Sequence, residues 1–234
     1  MSKVAEFYDG YSDRQQSAGI NRRHWSIDQW LVRFGLQDDQ NVLEIGCGVG
    51  TMTKLLCDRV VNGRILANDI SAKSVELARA ELSNYKNVEF IVGDMVRLDI
   101  DEKFDVILLP DVLEHIPISD HPALFKKLAS LLSPTGMIVI HIPDPNYLAW
   151  RYTQENDKDK MQIIDQSIYT DQLTADLYPT GLYITHLETY NLHVENGDYQ
   201  IIQVRKSKPT EYPALQRETP FSKRVVNKIK RTIS

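Results

Sequence analysis

Ten residues, Asn41-Val-Leu-Glu-Ile-Gly-Cys-Gly-Val-Gly50, constrain this chain more than any other stretch. The apolar run Val42 to Ile45 reads as a buried strand, with Glu44 near its end. Gly46, Gly48 and Gly50 follow at alternate positions, and Thr51 to Val60 reads as a helix. Strand, glycine turn and helix open the nucleotide-binding half of a doubly wound α/β sheet. Glycine is required there because a Cβ would hold a ligand away from the backbone. A dinucleotide fingerprint, G-x-G-x-x-G, calls for Gly or Ala at position 51, and this chain has Thr51.

The rest of the chain continues the alternation of strand and helix. Asn21 predicts a helix cap, with Trp25, Ile27, Trp30, Leu31 and Phe34 as the buried side. Arg22, Arg23 and His24 open that helix. Two arginines oppose the helix dipole, which points either to a nearby anion or to a solvated face. Gly63 to Asp69 reads as a second strand ending in an acid. Asp69 stands about 20 residues past the glycine turn, where such folds place the carboxylate that takes both ribose hydroxyls. Ser71 caps a helix through Ala80. Val88 to Val92 and Phe104 to Leu109 are the third and fourth strands. Ser119 or Asp120 starts a helix to Leu132, which Pro134-Thr-Gly136 ends as a turn. Met137 to Ile142 is the fifth strand. Leu182–Tyr190 and Tyr199–Val204 alternate as a hairpin around Asn196-Gly197, since both turn residues tolerate positive φ. The last strand is therefore antiparallel, where a dehydrogenase sheet would continue parallel.

The spacing E-x-G-x-G-x-G resembles motif I of class I S-adenosylmethionine (SAM)-dependent methyltransferases. Gly93-Asp94-Met95 is similar to the family's Gly-Asp motif, and Pro110-Asp-Val-Leu-Glu-His-Ile-Pro117 resembles the segment after strand four in the ubiquinone-pathway O-methyltransferases. Pro110 departs from that pattern. The resemblance implies a Rossmann-like seven-stranded sheet with an antiparallel last strand and a helical lid inserted after strand five. It implies SAM as cofactor and no metal. Glu44, Gly46, Cys47, Gly48, Gly50, Asp69, Ile70, Asp94, Met95, Leu109, Pro110 and Asp111 would line the cofactor. Tyr8 or Tyr11 would close the pocket from an N-terminal arm, with Tyr11 the chosen contact.

Three regions follow for the chain: an arm and helix over 1–40, a SAM-binding core over 41–206 with an acceptor lid at 146–180, and a linker and basic helix over 207–234. Phe221, Val225, Ile229 and Ile233 line one side of that last helix. This suggests peripheral contact with an anionic membrane, or else a frayed end or a homodimer contact. Its five cations leave 22 basic against 32 acidic side chains in the other 220 residues, which argues against a nucleic-acid partner. Neither a signal peptide nor a membrane span is legible. The two cysteines, Cys47 and Cys57, suggest a reducing, cytoplasmic setting.

A sulfonium methyl is already activated, so the protein mainly has to hold the acceptor in line. A hydroxyl acceptor also needs its proton removed, and a carboxylate does not. His115 and His141, at the strand ends, are the first candidates for a base, and His24 could reach the same mouth. His121 reads as a cap, and His186 and His193 as structural. The expected activity is O-methylation of a small-molecule or lipid-linked saccharide hydroxyl. N- or carboxyl-methylation, and a SAM-binding module without turnover, stay open. A protein or nucleic-acid methyltransferase is disfavoured, because Leu109-Pro-Asp-Val stands where Asn-Pro-Pro-Tyr would.

Overall fold

The computed structural model describes Gly10, Ser12, residues 16–154 and residues 164–207. Tyr8, Tyr11, the middle of the lid and the basic segment 221–233 lie outside the described residues.

The elements run in chain order: α1 (Arg22–Phe34), β1 (Asn41–Ile45), α2 (Thr51–Arg59), β2 (Arg64–Asp69), α3 (Ala72–Glu81), β3 (Val88–Val92), β4 (Phe104–Pro110), α4 (His121–Leu131), β5 (Leu132–Pro143), α5 (Pro145–Tyr152), α6 (Thr170–Leu177), β6 (Leu182–Tyr190) and β7 (Tyr199–Lys206). The strands form one seven-stranded sheet in the order β3-β2-β1-β4-β5-β7-β6. The first five are mutually parallel, and β7 pairs antiparallel with both β5 and β6. The winding reverses between β1 and β4. Beyond the carboxyl ends of strands at such a switch point, open α/β sheets bind their ligands.

Helices cover both faces, so the central strands are apolar on both sides and read as continuous runs, Val106 to Leu109 and Ile138 to Ile140. One face packs Leu43, Ile107, Ile140 and Ile202 against Leu124, Phe125 and Leu128 of α4 and Leu173 and Leu177 of α6. The other packs Val42, Ile65, Leu108 and Val139 against Ile27, Trp30 and Leu31 of α1 and Leu55 and Leu56 of α2. Full burial of Ile27 or Leu31 stabilises by about 1.5–3 kcal/mol each. Arg59 of α2 bonds buried Asp28 through both Nε (2.8 Å) and Nη2 (2.6 Å), which fixes α1 to α2.

Two expectations change. Trp25 is 49% exposed and lies off the buried stripe of α1. The turn predicted at Pro134-Thr-Gly136 is part of β5, which starts at Leu132 directly after α4. The strand carries the extra residues as an irregularity, with Leu132 opposite Phe104 and Met137 opposite Val106. The lid region contributes two short helices, α5 and α6, among the described residues.

Candidate active site

The glycine turn is built by backbone conformation. Gly46, Gly48 and Gly50 have φ of 78°, 54° and 86°, in the left-handed region where a side chain is strained. The N–H groups of Gly46 and Cys47 both reach the carbonyl of Asn68, so the turn is tied to β2. A Cβ on Gly46 would stand 2.1 Å from Val112 Cγ2. Glycine at 46 thus allows the turn after β1 to meet the turn after β4 across the switch point.

The carboxylates expected to hold a cofactor surround this turn. Asp69 accepts from Gly48 N through Oδ2 and from Ser71 N through Oδ1, each at 2.8 Å. An ionised carboxylate has about four acceptor positions, so these bonds orient it without exhausting it. Asp94 accepts from Val96 N at 3.1 Å and pairs with Arg97 at 3.3 Å. Met95 and Leu109 are buried in the core, whereas Ile70 and Pro110 are half-buried at strand ends.

Glu44 is fully buried, and neither of its carboxyl oxygens has a hydrogen-bond partner among the described residues. Burial pushes this carboxyl up to about 8, against the pull of the Thr53 hydroxyl. Buried polar atoms are normally satisfied. Two orphaned oxygens beside a glycine turn fit a ligand with a cationic or donor group, and SAM carries an ammonium of that kind. With its folded value raised, Glu44 binds more protons folded than unfolded between about pH 4.5 and 8. Stability is therefore greatest below that window and falls as pH rises through it. Glu44→Gln is expected to raise the cofactor-free melting temperature by several degrees at pH 7.5, with the gain vanishing toward pH 4.5. Thermal scans across that range check it.

The second half of the site follows β4. Asp111 has φ of 57°, and its N–H bonds the His141 carbonyl at 2.8 Å. Asp tolerates this left-handed conformation better than most residues. It aims the carboxylate at two partners. Oδ1 accepts from His141 Nδ1 at 2.6 Å, and Oδ2 pairs with Arg23 Nε at 2.9 Å. Burial alone would raise the Asp111 carboxyl, but Arg23 and His141 outweigh it and hold it down at about 2. The anion implied by the arginines at the start of α1 is therefore a residue of the chain itself. Arg23 is raised by Asp111 and stays charged.

His141 does not open into the crevice as expected. It is 0% exposed, and Nε2 meets the Tyr190 hydroxyl at 2.7 Å. Ser26 of α1 donates to that hydroxyl at 2.9 Å, and Tyr199 stacks on the imidazole at 4.7 Å and 12°. A ring enclosed this way cannot touch an acceptor. It positions Asp111.

His24 is also committed. Its Nδ1 accepts from Asn21 N at 3.2 Å, completing the cap of α1. Burial and then Arg23 pull it down to about 4, so the ring is neutral at pH 7, with its proton on Nε2 and no basic nitrogen to offer. His121 is buried, and Nε2 reaches the carbonyls of Leu113 at 3.2 Å and Ile116 at 2.9 Å. It supports the turn after β4 from beneath and does not cap α4.

His115 closes the 3₁₀ segment Leu113–His115 after β4. Its Nδ1 is 2.7 Å from the Ile164 carbonyl, which can only accept, so Nδ1 carries the proton. The lone pair of the neutral ring is then on Nε2, 3.7 Å from Glu114 Oε1. Burial lowers the imidazole value, with Ile164 and Asp165 opposing it. Burial, and then the Asp111 charge, push the Glu114 carboxyl well above its ordinary range. No pattern in the sequence pointed to Tyr190, Tyr199 or Ser26 in this network. Their partners are brought together by pairing of β5 with β7 and by packing of α1.

Residues 42–136 match the family described as methyltransferase domain. The chain is 34% identical over 135 residues to a malonyl-[acyl-carrier protein] O-methyltransferase of Priestia megaterium, covering 58% of this chain and 46% of that protein. It is 32% identical over 114 residues to a trans-aconitate 2-methyltransferase of Escherichia coli O1:K1 / APEC, covering 49% and 43%. The chain thus spans about half the length of these curated relatives. A SAM-dependent methyltransferase from Clostridium acetobutylicum superposes with a TM-score of 0.65 at 18% identity, over 85% of this chain and 97% of that one. Magnesium protoporphyrin IX methyltransferase from Synechocystis PCC 6803, with S-adenosylhomocysteine (SAH) bound, does so at 0.61 and 21%, over 79% and 81%. At these identities the structural likeness shows the fold.

Proposed function

We propose that this chain, whose residues 42–136 match a methyltransferase domain, uses SAM to transfer a methyl group to a hydroxyl oxygen of a small neutral acceptor. A saccharide hydroxyl belongs to that class. Bound SAM would supply a methyl on a sulfonium, ready for in-line displacement. Glu44, Asp69, Asp94 and the glycine turn would hold it. The chain's main contribution is then placement of the acceptor, worth up to about 7–11 kcal/mol. As the new oxygen–carbon bond forms, the hydroxyl proton passes to Nε2 of His115.

One observation carries this reading. The group near the ends of β4 and β5 combines the neutral base His115 with the carboxyl groups of Asp111 and Asp165, while the nearby cation, Arg23, is paired with Asp111. Such a site accepts protons and favours a neutral hydroxyl over a second negative charge. Carboxyl O-methylation is the second reading. It is favoured by the two relatives named for carboxylate-bearing acceptors, malonyl-[acyl-carrier protein] and trans-aconitate.

The test uses methyl-labelled SAM and cell extract separated into neutral, acidic, lipid and polymer fractions. Ethers survive mild base and methyl esters release methanol. Base-stable label in a neutral, lipid-linked or polymeric saccharide is expected. Base-labile label in the acidic fraction would replace the hydroxyl reading by the carboxyl one.

A further inference from the structure

The turn that presents His115 cannot satisfy its own carbonyls. It runs through the 3₁₀ segment Leu113–His115 to Ile118, and its internal backbone bonds are His115 N to Val112 O at 2.9 Å and Ile116 N to Leu113 O at 3.2 Å. The carbonyls of Glu114 and Ile116 face residues 164–168 of the lid region, and that of Ile116 also meets His121 Nε2 at 2.9 Å. Gln166 meets them there. Its backbone N–H reaches the Glu114 carbonyl at 3.0 Å, and its Nε2 donates to Glu114 O at 3.2 Å and Ile116 O at 2.7 Å. Its Oε1 accepts from Ile118 N at 3.3 Å. One amide thus uses donor and acceptor together to brace both limbs of the turn. Two residues earlier, the Ile164 carbonyl accepts a hydrogen bond from His115 Nδ1. Two residues later, Ile168 is buried in the core and anchors the segment.

We infer that Gln166 is a positioning residue for methyl transfer, clamping residues 164–168 of the lid region to the β4 turn so that the Ile164 carbonyl fixes the His115 tautomer with Nε2 as the basic nitrogen. This rests on the assignment of His115 as proton acceptor. The reason for glutamine is geometric. The side chain must donate to two carbonyls and accept from one N–H. Glutamate keeps the shape and the acceptor but cannot donate, and methionine keeps the volume and does neither. Without the clamp, the Ile164 carbonyl is no longer held opposite Nδ1, and the imidazole can take either tautomer or rotate. A displacement of about 1 Å at a reacting group costs on the order of 10²-fold in rate.

The experiment compares full-length wild type, Gln166→Met, Gln166→Glu and His115→Ala. SAH affinity, measured by calorimetry, reports a folded cofactor site. Histidine ¹⁵N NMR reports the His115 tautomer, and turnover is measured with methyl-labelled SAM on the fraction that the wild type labels. Both Gln166 variants are expected to bind SAH within about threefold of wild type, to lose the single Nδ1–H state of His115, and to turn over 10- to 100-fold more slowly. If a folded Gln166 variant keeps the Nδ1–H tautomer or full turnover, the inference is overturned while the role of His115 stands. If His115→Ala turns over normally, the proton-acceptor assignment falls, and the NMR signal still shows whether Gln166 sets the tautomer.

Discussion

His115→Ala is expected to lower turnover by about 10²–10⁴-fold, the range of a positioned general base. SAH affinity should change by no more than a few-fold, because the groups expected to hold the cofactor, Glu44, Asp69, Asp94 and the backbone of the glycine turn, remain in place when the His115 side chain is removed. Single-turnover rates with labelled SAM, beside calorimetric SAH binding, check both halves. The acid limb of the wild-type rate gives a second signature. Burial lowers the His115 imidazole, so the ring stays neutral, and the rate stays high, to a lower pH than an ordinary histidine would allow. The rate then falls as pH drops below that lowered value, and the variant lacks this limb. A variant as fast as wild type would leave proximity as the whole of catalysis.

Asp111→Ala is expected to cost about 3–5 kcal/mol of stability, since it leaves Arg23 without its anion in a largely buried setting and removes the partner of His141 Nδ1. In a chain of this size that corresponds to a fall in melting temperature of about 10 °C. The pH dependence has a definite sign. The Asp111 carboxyl is held at about 2, below its ordinary 3.8, so the folded state binds fewer protons than the unfolded state between these values. Its contribution, about 2 kcal/mol, is complete above pH 4 and is lost as pH falls toward 2. Differential scans of the variant and wild type should therefore converge on the acid side. A constant gap from pH 6 to pH 2 would remove Asp111 as the origin of the effect.

The parts of the fold legible in the sequence were those fixed by local chemistry. Alternate glycines, the acid that ends β2, the Ser71 cap and the Asn196-Gly197 pair each depend on neighbours within a few residues, and each lies in the structure in the element it implied. The two arginines at the start of α1 left a nearby anion and a solvated face both open, and the structure divides them, with Arg23 paired to Asp111 and Arg22 exposed. What stayed hidden were partners supplied from far along the chain. Position at a strand end suggested that His141 faces ligand. Its enclosure depends on Tyr190, 49 residues away, and on the ring of Tyr199 in a strand inserted beside it. Gln166 was illegible for a different reason. Its partners are main-chain carbonyls and an N–H, and their residue identities carry no sign of it.

The place of β7 in the sheet also sets a timetable for synthesis. β7 lies between β5 and β6, yet it follows both in the sequence. When residue 190 leaves the ribosome, the flank of β5 is still an open edge of apolar strand, and β6 has no partner to dock on. Neither is satisfied until 199–206 emerges and hydrogen-bonds on both sides at once. Until then the nascent chain presents an unpaired edge to other chains, a known route to aggregation. The synthesis of residues 191–206 is thus the interval in which a chaperone would find this edge exposed.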